Sequence, residues 1–196
     1  IHMKKLLVIL ILFGLNSNYS YSIEPDVFVQ STVNRASQIL SKNISKEKKI
    51  EKLKFIAKET VDIKGVGAYS LGQKRKDLND NQKKKYFDLF EDYFLKSFSS
   101  RLAEYTNPEI DVKDKEVINQ NYTIVNSVLV ATSDRPEVKI DWRIYTKNPD
   151  NPLIRDLIIE GLSLARTQKE EFSSILNSND GDINVLFKTL EEFSKN

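Results

Sequence analysis

The sequence predicts an α+β fold, in which a four-stranded antiparallel twisted sheet carries helices on one face. The first observation is a change in the spacing of apolar residues along the chain. Apolar residues recur at helical spacing before Pro108 and after Ser163, whereas residues 109–160 alternate and are rich in β-branched side chains. The second observation is the turn chemistry between the later strands, which favours a meander. Helices that precede and follow a meander gather over one of its faces.

The amino-terminal residues are typical of an export signal. Lys4 and Lys5 precede an apolar run from Leu6 to Leu15, which is about ten residues long. A helix that spans a bilayer needs roughly 20 residues, so a permanent membrane anchor is the weaker interpretation. Small residues at Ser20 and Ser22 favour a secretory signal peptide that is cleaved after Ser22.

Ile1 and His2 precede the apparent initiator Met3 and are interpreted as a cloning remnant. We therefore expect residues 1–22 to be this remnant plus the signal peptide, and residues 23–196 to form one domain without a linker. A chain of this length can bury a core of its own.

Composition excludes several classes of function. The whole chain has 30 basic and 28 acidic residues, and removal of Lys4 and Lys5 with the leader leaves 28 of each sign. A neutral chain without a basic block offers no surface for nucleic acid. The chain has no cysteine, and its one histidine is His2. Histidine-dependent nucleophiles and the usual zinc sites are therefore excluded, and we predict no catalytic residue, metal or cofactor.

Four segments before Pro108 show helical spacing. The first two are predicted as helices over residues 25–41 and 46–58. In the third, Ile63, Val66 and Leu71 are separated by glycines, which weaken a helix. The fourth is predicted as one long helix over residues 79–105, with Asn79 and Gln82 as a capping box.

The apolar side chains of the long helix spread over roughly 240° of its circumference at 100° per residue. The stripe includes Phe90, Tyr93, Phe94 and Phe98. A helix on the surface needs a narrower stripe, so this helix must be covered on two sides, either by other protein or by a ligand. A central core helix is the commoner explanation of such a stripe.

Strands are predicted over residues 109–112, 117–132, 137–146 and 153–160, with turns at 134–136 and 148–152. Trp142 and Ile144 fall on the apolar face of the third strand, and ordinary core packing is the commoner role for such a tryptophan. Two helices end the chain, one starting at Leu164 and one around residues 183–193, with a break at 179–181.

The best-placed acidic residues are Asp156 and Glu160 on the last strand. Residues four apart on a strand lie about 13 Å apart, which is too far for a pair of catalytic carboxylates. We therefore expect both to bond neighbouring backbone or basic groups. Ser163 lacks the pattern of a nucleophile elbow and is predicted to cap the helix that follows.

Several segments of the chain agree with one family in order and spacing. They are Val61-Asp62-Ile63, Ser70-Leu71-Gly72, Asn81-Gln82-Lys83, Phe87-Asp88-Leu89-Phe90, Ile158-Ile159-Glu160-Gly161-Leu162-Ser163-Leu164 and Phe172. These segments resemble MlaC, the toluene-tolerance family of periplasmic phospholipid-binding proteins. The resemblance runs from about Val27 to Leu190, and its most specific part is the block from Asp156 to Leu164. The chain departs from the family pattern at Arg75, near Pro152 and at Gln168-Lys169, where surface contacts or partner recognition can differ.

The resemblance implies a periplasmic carrier that holds phospholipid acyl chains in an apolar pocket between sheet and helices. Such a protein is an auxiliary component of an ABC transport system. It would shuttle lipid between an outer-membrane lipoprotein complex and an inner-membrane ABC transporter with an MCE-domain subunit, and so maintain outer-membrane lipid asymmetry. We expect a monomer.

Ten residues are candidates for the lipid-binding wall, because they combine the aromatic stripe, the apolar strand face and the block of closest resemblance. Tyr69 and Tyr93 are expected at the mouth, with their hydroxyls toward the headgroup. The candidates are Val66, Tyr69, Phe90, Phe94, Phe98, Trp142, Ile144, Ile159, Leu162 and Leu164.

Two other classes of function remain open from the residues alone. A closed interaction module of the cell envelope would have the same elements around a filled core. An enzyme built from carboxylates, lysine or tyrosine is the third class, and the composition gives it little support.

Overall fold

The computed structural model describes residues 22–195. The predicted cloning remnant and nearly all of the predicted signal peptide lie outside this range. No helix in the described range is long and apolar enough to cross a membrane.

Four α-helices precede the sheet, and their capping follows the sequence. Asn79 caps the last of them, and its side chain and that of Gln82 form the predicted capping box, with bonds of 2.9 and 3.0 Å. The helices are α1 (Pro25–Leu40), α2 (Lys46–Thr60), α3 (Ile63–Leu71) and α4 (Asp80–Leu102), and a 3-10 turn at Gly72–Lys76 follows α3.

Helix α3 forms despite its glycines. The Asp62 side chain accepts a hydrogen bond from the backbone N–H of Gly65 at 2.8 Å and so caps the helix. Gly67 faces α4 so closely that a Cβ atom there would lie 2.7 Å from Cδ1 of Phe90. Gly67 therefore lowers the helix propensity of α3, but it allows α3 and α4 to approach each other.

The sheet has five strands, each antiparallel to its neighbour, in the order of the chain. The prediction of four strands is wrong because the short β5 forms a hairpin with β4 through Glu160 and Gly161, both with positive φ. The strands are β1 (Ile110–Asn119), β2 (Tyr122–Leu129), β3 (Val138–Tyr145), β4 (Leu153–Ile159) and β5 (Leu162–Ser163).

The boundary between the first two predicted strands is also misplaced. Residues 113–116 were expected to separate two strands, yet they lie inside β1, and the chain turns instead at Gln120 and Asn121. The second half of β1 is exposed on both faces, so its sequence has no alternating apolar pattern. A bulge between Val112 and Asp114 disturbs the pattern further.

The apolar face of the sheet packs against the helices. On β3, Ile140, Trp142 and Ile144 are buried, as their alternation predicts. A bulge at Arg155 of β4 leaves Ile154 opposite Ile144. Beyond the bulge, the core face of β4 continues through Leu157 and Ile159, which pair with Trp142 and Ile140.

Two helices complete the fold, α5 (Leu164–Asn177) and α6 (Ile183–Lys195). Asp180 and Gly181 have positive φ in the predicted break between them. Helix α4 contacts α2, α3 and α6, which confirms that its wide apolar stripe is covered on more than one side. The fold is therefore α+β, with one sheet and six α-helices in the described residues.

Candidate ligand cavity

Two adjoining cavities lie between the sheet and the helices. The sheet cavity, of about 280 Å³, lies between the apolar face of the sheet and α1, α2 and α4. The α4–α5 cavity, of about 180 Å³, lies between these two helices and β4. The cavities have six lining residues in common, which are Val61, Phe98, Arg101, Ile154, Leu157 and Leu164.

The junction of the two cavities is fixed by the backbone. Val61 lies between α2 and α3 and forms a parallel bridge with Ile154 of β4. The backbone N–H of Asp62 donates to the carbonyl of Ile154 at 2.9 Å. These contacts hold the end of α2 against the sheet, and both bridge partners line both cavities.

Two threonine side chains in the wall of the sheet cavity are hydrogen-bonded within their own helices. The hydroxyl of Thr32 donates to the carbonyl of Phe28 at 2.9 Å, and the hydroxyl of Thr60 donates to that of Ile56 at 2.8 Å. Because these hydroxyls already have partners, their methyl groups can face the cavity at little cost. Ala36 on α1 is small and leaves space beside them.

The indole of Trp142 is satisfied in a similar way. Its Nε1–H donates to Oγ of Ser127 at 2.8 Å, and this hydroxyl donates to the carbonyl of Ile140 at 2.8 Å. The polar atom of the tryptophan is thus bonded within the sheet. Its ring contributes apolar surface to the sheet cavity.

The aromatic stripe of α4 forms one wall of the α4–α5 cavity. Phe90, Phe94 and Phe98 follow each other at intervals of four residues and therefore lie on one side of the helix. The rings of Phe94 and Phe98 stack with centroids 5.4 Å apart, and those of Phe90 and Phe94 with centroids 6.1 Å apart. This wall is continuous and apolar.

The opposite side of this cavity is more polar. Tyr93 donates its hydroxyl hydrogen bond to Oε1 of Gln168 at 2.8 Å, which joins α4 to α5. Burial and, after it, the nearby carboxylate of Glu171 raise the pKa of Tyr93, and the positive charge of Arg101 lowers it by less. Ser97 and Thr167 also line this side.

Seven of the ten predicted wall residues line one or both cavities, namely Val66, Phe90, Phe94, Phe98, Trp142, Ile159 and Leu164. The structure places the other three elsewhere. Ile144 is fully buried in the core. Leu162, on β5, is 59% exposed. Tyr69 is 45% exposed on the outer surface, with the Lys169 ammonium 5.0 Å from its ring centroid.

Sequence reasoning missed the contribution of α1 and α2. Val33, Ala36, Leu53 and Ala57 line the sheet cavity, but their helical spacing is that of any buried helix face. It also missed Arg101, which follows the aromatic stripe and lines both cavities. Its position three residues after Phe98 was the available signal, since both fall on one side of α4.

The block from Asp156 to Leu164 has a structural role at the edge of the cavity. The Asp156 carboxylate accepts hydrogen bonds from the Ser163 hydroxyl at 2.5 Å and from the Ala165 backbone N–H at 2.9 Å. Ser163 also caps α5, as predicted, by accepting from the Arg166 backbone N–H at 3.0 Å. Within residues 22–195, no group of three His, Cys, Asp or Glu residues could hold a metal ion.

Comparison with known proteins agrees with this architecture. A family model described as "MlaC protein" matches residues 30–192. A solved structure with the same fold is that of a phospholipid-binding protein from Ralstonia solanacearum in complex with a phospholipid. It is 18% identical, with a TM-score of 0.74, and the match covers 88% of this chain and 98% of that one.

Proposed function

The chain belongs to the MlaC family, and from this membership we propose that it is a periplasmic phospholipid carrier. In this proposal residues 23–196 form a single lipid-binding domain that acts as a monomer. The leader is a cleaved signal peptide. The ligand is a diacyl phospholipid, and the protein catalyses no reaction.

The observation that carries the proposal is the pair of adjoining cavities. The sheet cavity and the α4 wall of the α4–α5 cavity are largely apolar, and the hydroxyls of Thr32 and Thr60 and the indole N–H of Trp142 already have partners. Each methylene of an acyl chain that enters such a space gains about 0.8 kcal/mol. The shared fold of a protein solved with a bound phospholipid supports the same ligand.

The path of the lipid follows from the chemistry of the walls. The α4–α5 cavity has the polar side chains of Ser97, Thr167 and Gln168, so the headgroup lies there. An acyl chain then passes Phe98 at the junction and enters the sheet cavity. Both cavities are smaller than the roughly 300–1,000 Å³ of common ligand clefts, so the helices move away from the sheet when a diacyl lipid enters.

The proposed partners are membrane complexes. The carrier receives and delivers lipid between an outer-membrane lipoprotein complex and an inner-membrane ABC transporter with an MCE-domain subunit, and so maintains outer-membrane lipid asymmetry. A closed interaction module is the competing function. The two cavities favour the carrier, because such a module needs a filled core.

Native mass spectrometry tests the proposal. The protein is exported with its leader, purified without detergent and measured intact, and the lipid is then extracted. We expect a monomer with one bound diacyl phospholipid. Repeated preparations without lipid, together with no uptake from phospholipid vesicles, would exclude the carrier.

A further inference from the structure

We infer that Arg101 and Glu171 form a site for a zwitterionic headgroup at the α4–α5 cavity, with the guanidinium on the lipid phosphate and the carboxylate on the headgroup ammonium. The inference rests on the proposed function, since it assigns the headgroup end of the same lipid.

Four charged side chains line the α4–α5 cavity, and two of them are occupied by the fold. Arg155 donates to Asp62 at 2.6 Å and to the hydroxyl of Tyr122 at 3.0 Å. Its guanidinium also lies 4.2 Å from the ring centroid of Tyr145. Asp156 is buried and accepts two hydrogen bonds at the start of α5. Neither group is available to a ligand.

The other two charged side chains are Arg101 and Glu171, and both are exposed. Within residues 22–195, the side chain of Arg101 makes no hydrogen bond or ion pair, whereas the side chain of Arg155 makes both. Glu171 accepts one hydrogen bond, from Nε2 of Gln168 at 3.0 Å, and has no ion-pair partner in the same range. Each of these two side chains can therefore bind a charged group of a ligand.

The two charges lie on two helices that line one cavity. Arg101 is in the last turn of α4, and Glu171 is on α5. Both line the α4–α5 cavity together with Tyr93, which joins the two helices through Gln168. Their charges act in opposite directions on the pKa of Tyr93, which Glu171 raises and Arg101 lowers.

A zwitterionic headgroup matches this arrangement. A phosphate binds a guanidinium through two parallel hydrogen bonds, and a primary ammonium is a good donor to a carboxylate. The carboxyl end of α4 carries partial negative charge, which repels phosphate, so an anion there depends on Arg101. A headgroup without an ammonium would leave Glu171 unpaired and near the lipid phosphate.

Competitive loading tests the site. Delipidated protein is incubated with vesicles of equal parts phosphatidylethanolamine and phosphatidylglycerol, and the bound lipids are extracted and counted. We expect the wild type to be enriched in phosphatidylethanolamine. Glu171→Gln should shift the bound ratio toward phosphatidylglycerol by about two- to fivefold, and Arg101→Gln should lower total occupancy by a similar factor.

Matched controls are available on the outer surface. Glu170→Gln and Arg166→Gln change exposed residues of α5 that face a shallow depression beside Tyr69, outside both cavities. Neither control variant should alter the ratio of the two bound lipids or the total amount of lipid bound per protein. If either cavity variant matches its control, the inference is wrong while the carrier stands. If the wild type itself takes up no lipid, the proposed function is wrong.

Discussion

The carboxylate of Asp156 accepts a hydrogen bond of 2.9 Å from the backbone N–H of Ala165, and this bond joins β4 to the first turn of α5. The same carboxylate accepts from the hydroxyl of Ser163, whose oxygen in turn caps the helix. One acid thereby satisfies an otherwise unpaired helix N–H and orients the cap. Since Leu164 and Ala165 line the α4–α5 cavity, the bond also positions the cavity wall.

We predict that Asp156→Ala lowers the free energy of unfolding by about 2–3 kcal/mol, because it leaves a buried N–H and hydroxyl without their charged acceptor. Ser163→Ala should cost about 1 kcal/mol. The double variant should cost less than the sum of the two, since the residues share one network. Urea denaturation of the wild type, the two single variants and the double variant measures these free energies of unfolding. Additive effects would show that the two residues act independently.

This network also marks how far the sequence could predict the structure. Ser163 was identifiable as a cap because its helix begins directly after it. The end of the last strand was not identifiable, since Glu160 looks like a strand residue and adopts a positive φ in the hairpin to β5. The partners of Asp156 are the hydroxyl of Ser163 and the backbone N–H of Ala165, seven and nine residues later, and only the fold brings them together.

The cavity was predictable only in part. Helical spacing places Phe90, Phe94 and Phe98 on one side of α4, but it left core packing and a ligand wall both open. Trp142 and Ile144 fall on the same face of one strand, and alternation cannot tell which of them lines a cavity. The difference depends on where Ala36 and other small residues of α1 and α2 leave space, which is a property of packing between distant segments.

A second prediction concerns Tyr86. This side chain is buried, and its hydroxyl donates to the carbonyl of Gly67 at 2.8 Å. Tyr86→Phe should lower the free energy of unfolding by about 1 kcal/mol at pH 7, through loss of this hydrogen bond. Urea denaturation at neutral pH measures the loss, and an unchanged midpoint would show that the bond contributes nothing.

The same tyrosine should make stability depend on alkaline pH. Burial raises its pKa in the folded protein above the ordinary value near 10. The unfolded chain then releases the proton first, so stability is retained below about pH 10 and falls above it by up to about 1.4 kcal/mol per pH unit. Tyr86→Phe removes this contribution, so its difference from wild type should shrink between pH 9 and 10.5. If the free energy of unfolding of the two proteins changes in parallel over this pH range, the prediction is wrong.

A third prediction separates the cavity wall from the outer surface. Phe94→Glu places a carboxylate in the apolar wall of the α4–α5 cavity, where it loses hydration without gaining a partner. Bound lipid per protein should fall by about tenfold or more. Leu162→Glu is the matched control, because this leucine is exposed on β5 and lines neither cavity. Native mass spectrometry of both variants gives the comparison, and equal lipid content in the two would overturn the wall assignment.

The last prediction distinguishes a binding cavity from a packing defect. Ala36 lines the sheet cavity from α1, and Ala36→Phe adds an apolar ring to that space. If the cavity is a packing defect, the ring fills it, raises stability by about 0.5–2 kcal/mol and changes no function. If acyl chains occupy the cavity, the ring instead displaces them, and bound lipid should fall or shift to shorter chains while the protein stays folded.

The control is Ala36→Ser, which preserves the small volume and should keep the wild-type lipid. Mass spectrometry of the extracted lipids, with thermal denaturation of each variant, measures both quantities. A stabilised Ala36→Phe protein with unchanged lipids would show that the sheet cavity does not hold the acyl chains, because a ring and a chain cannot occupy the same space.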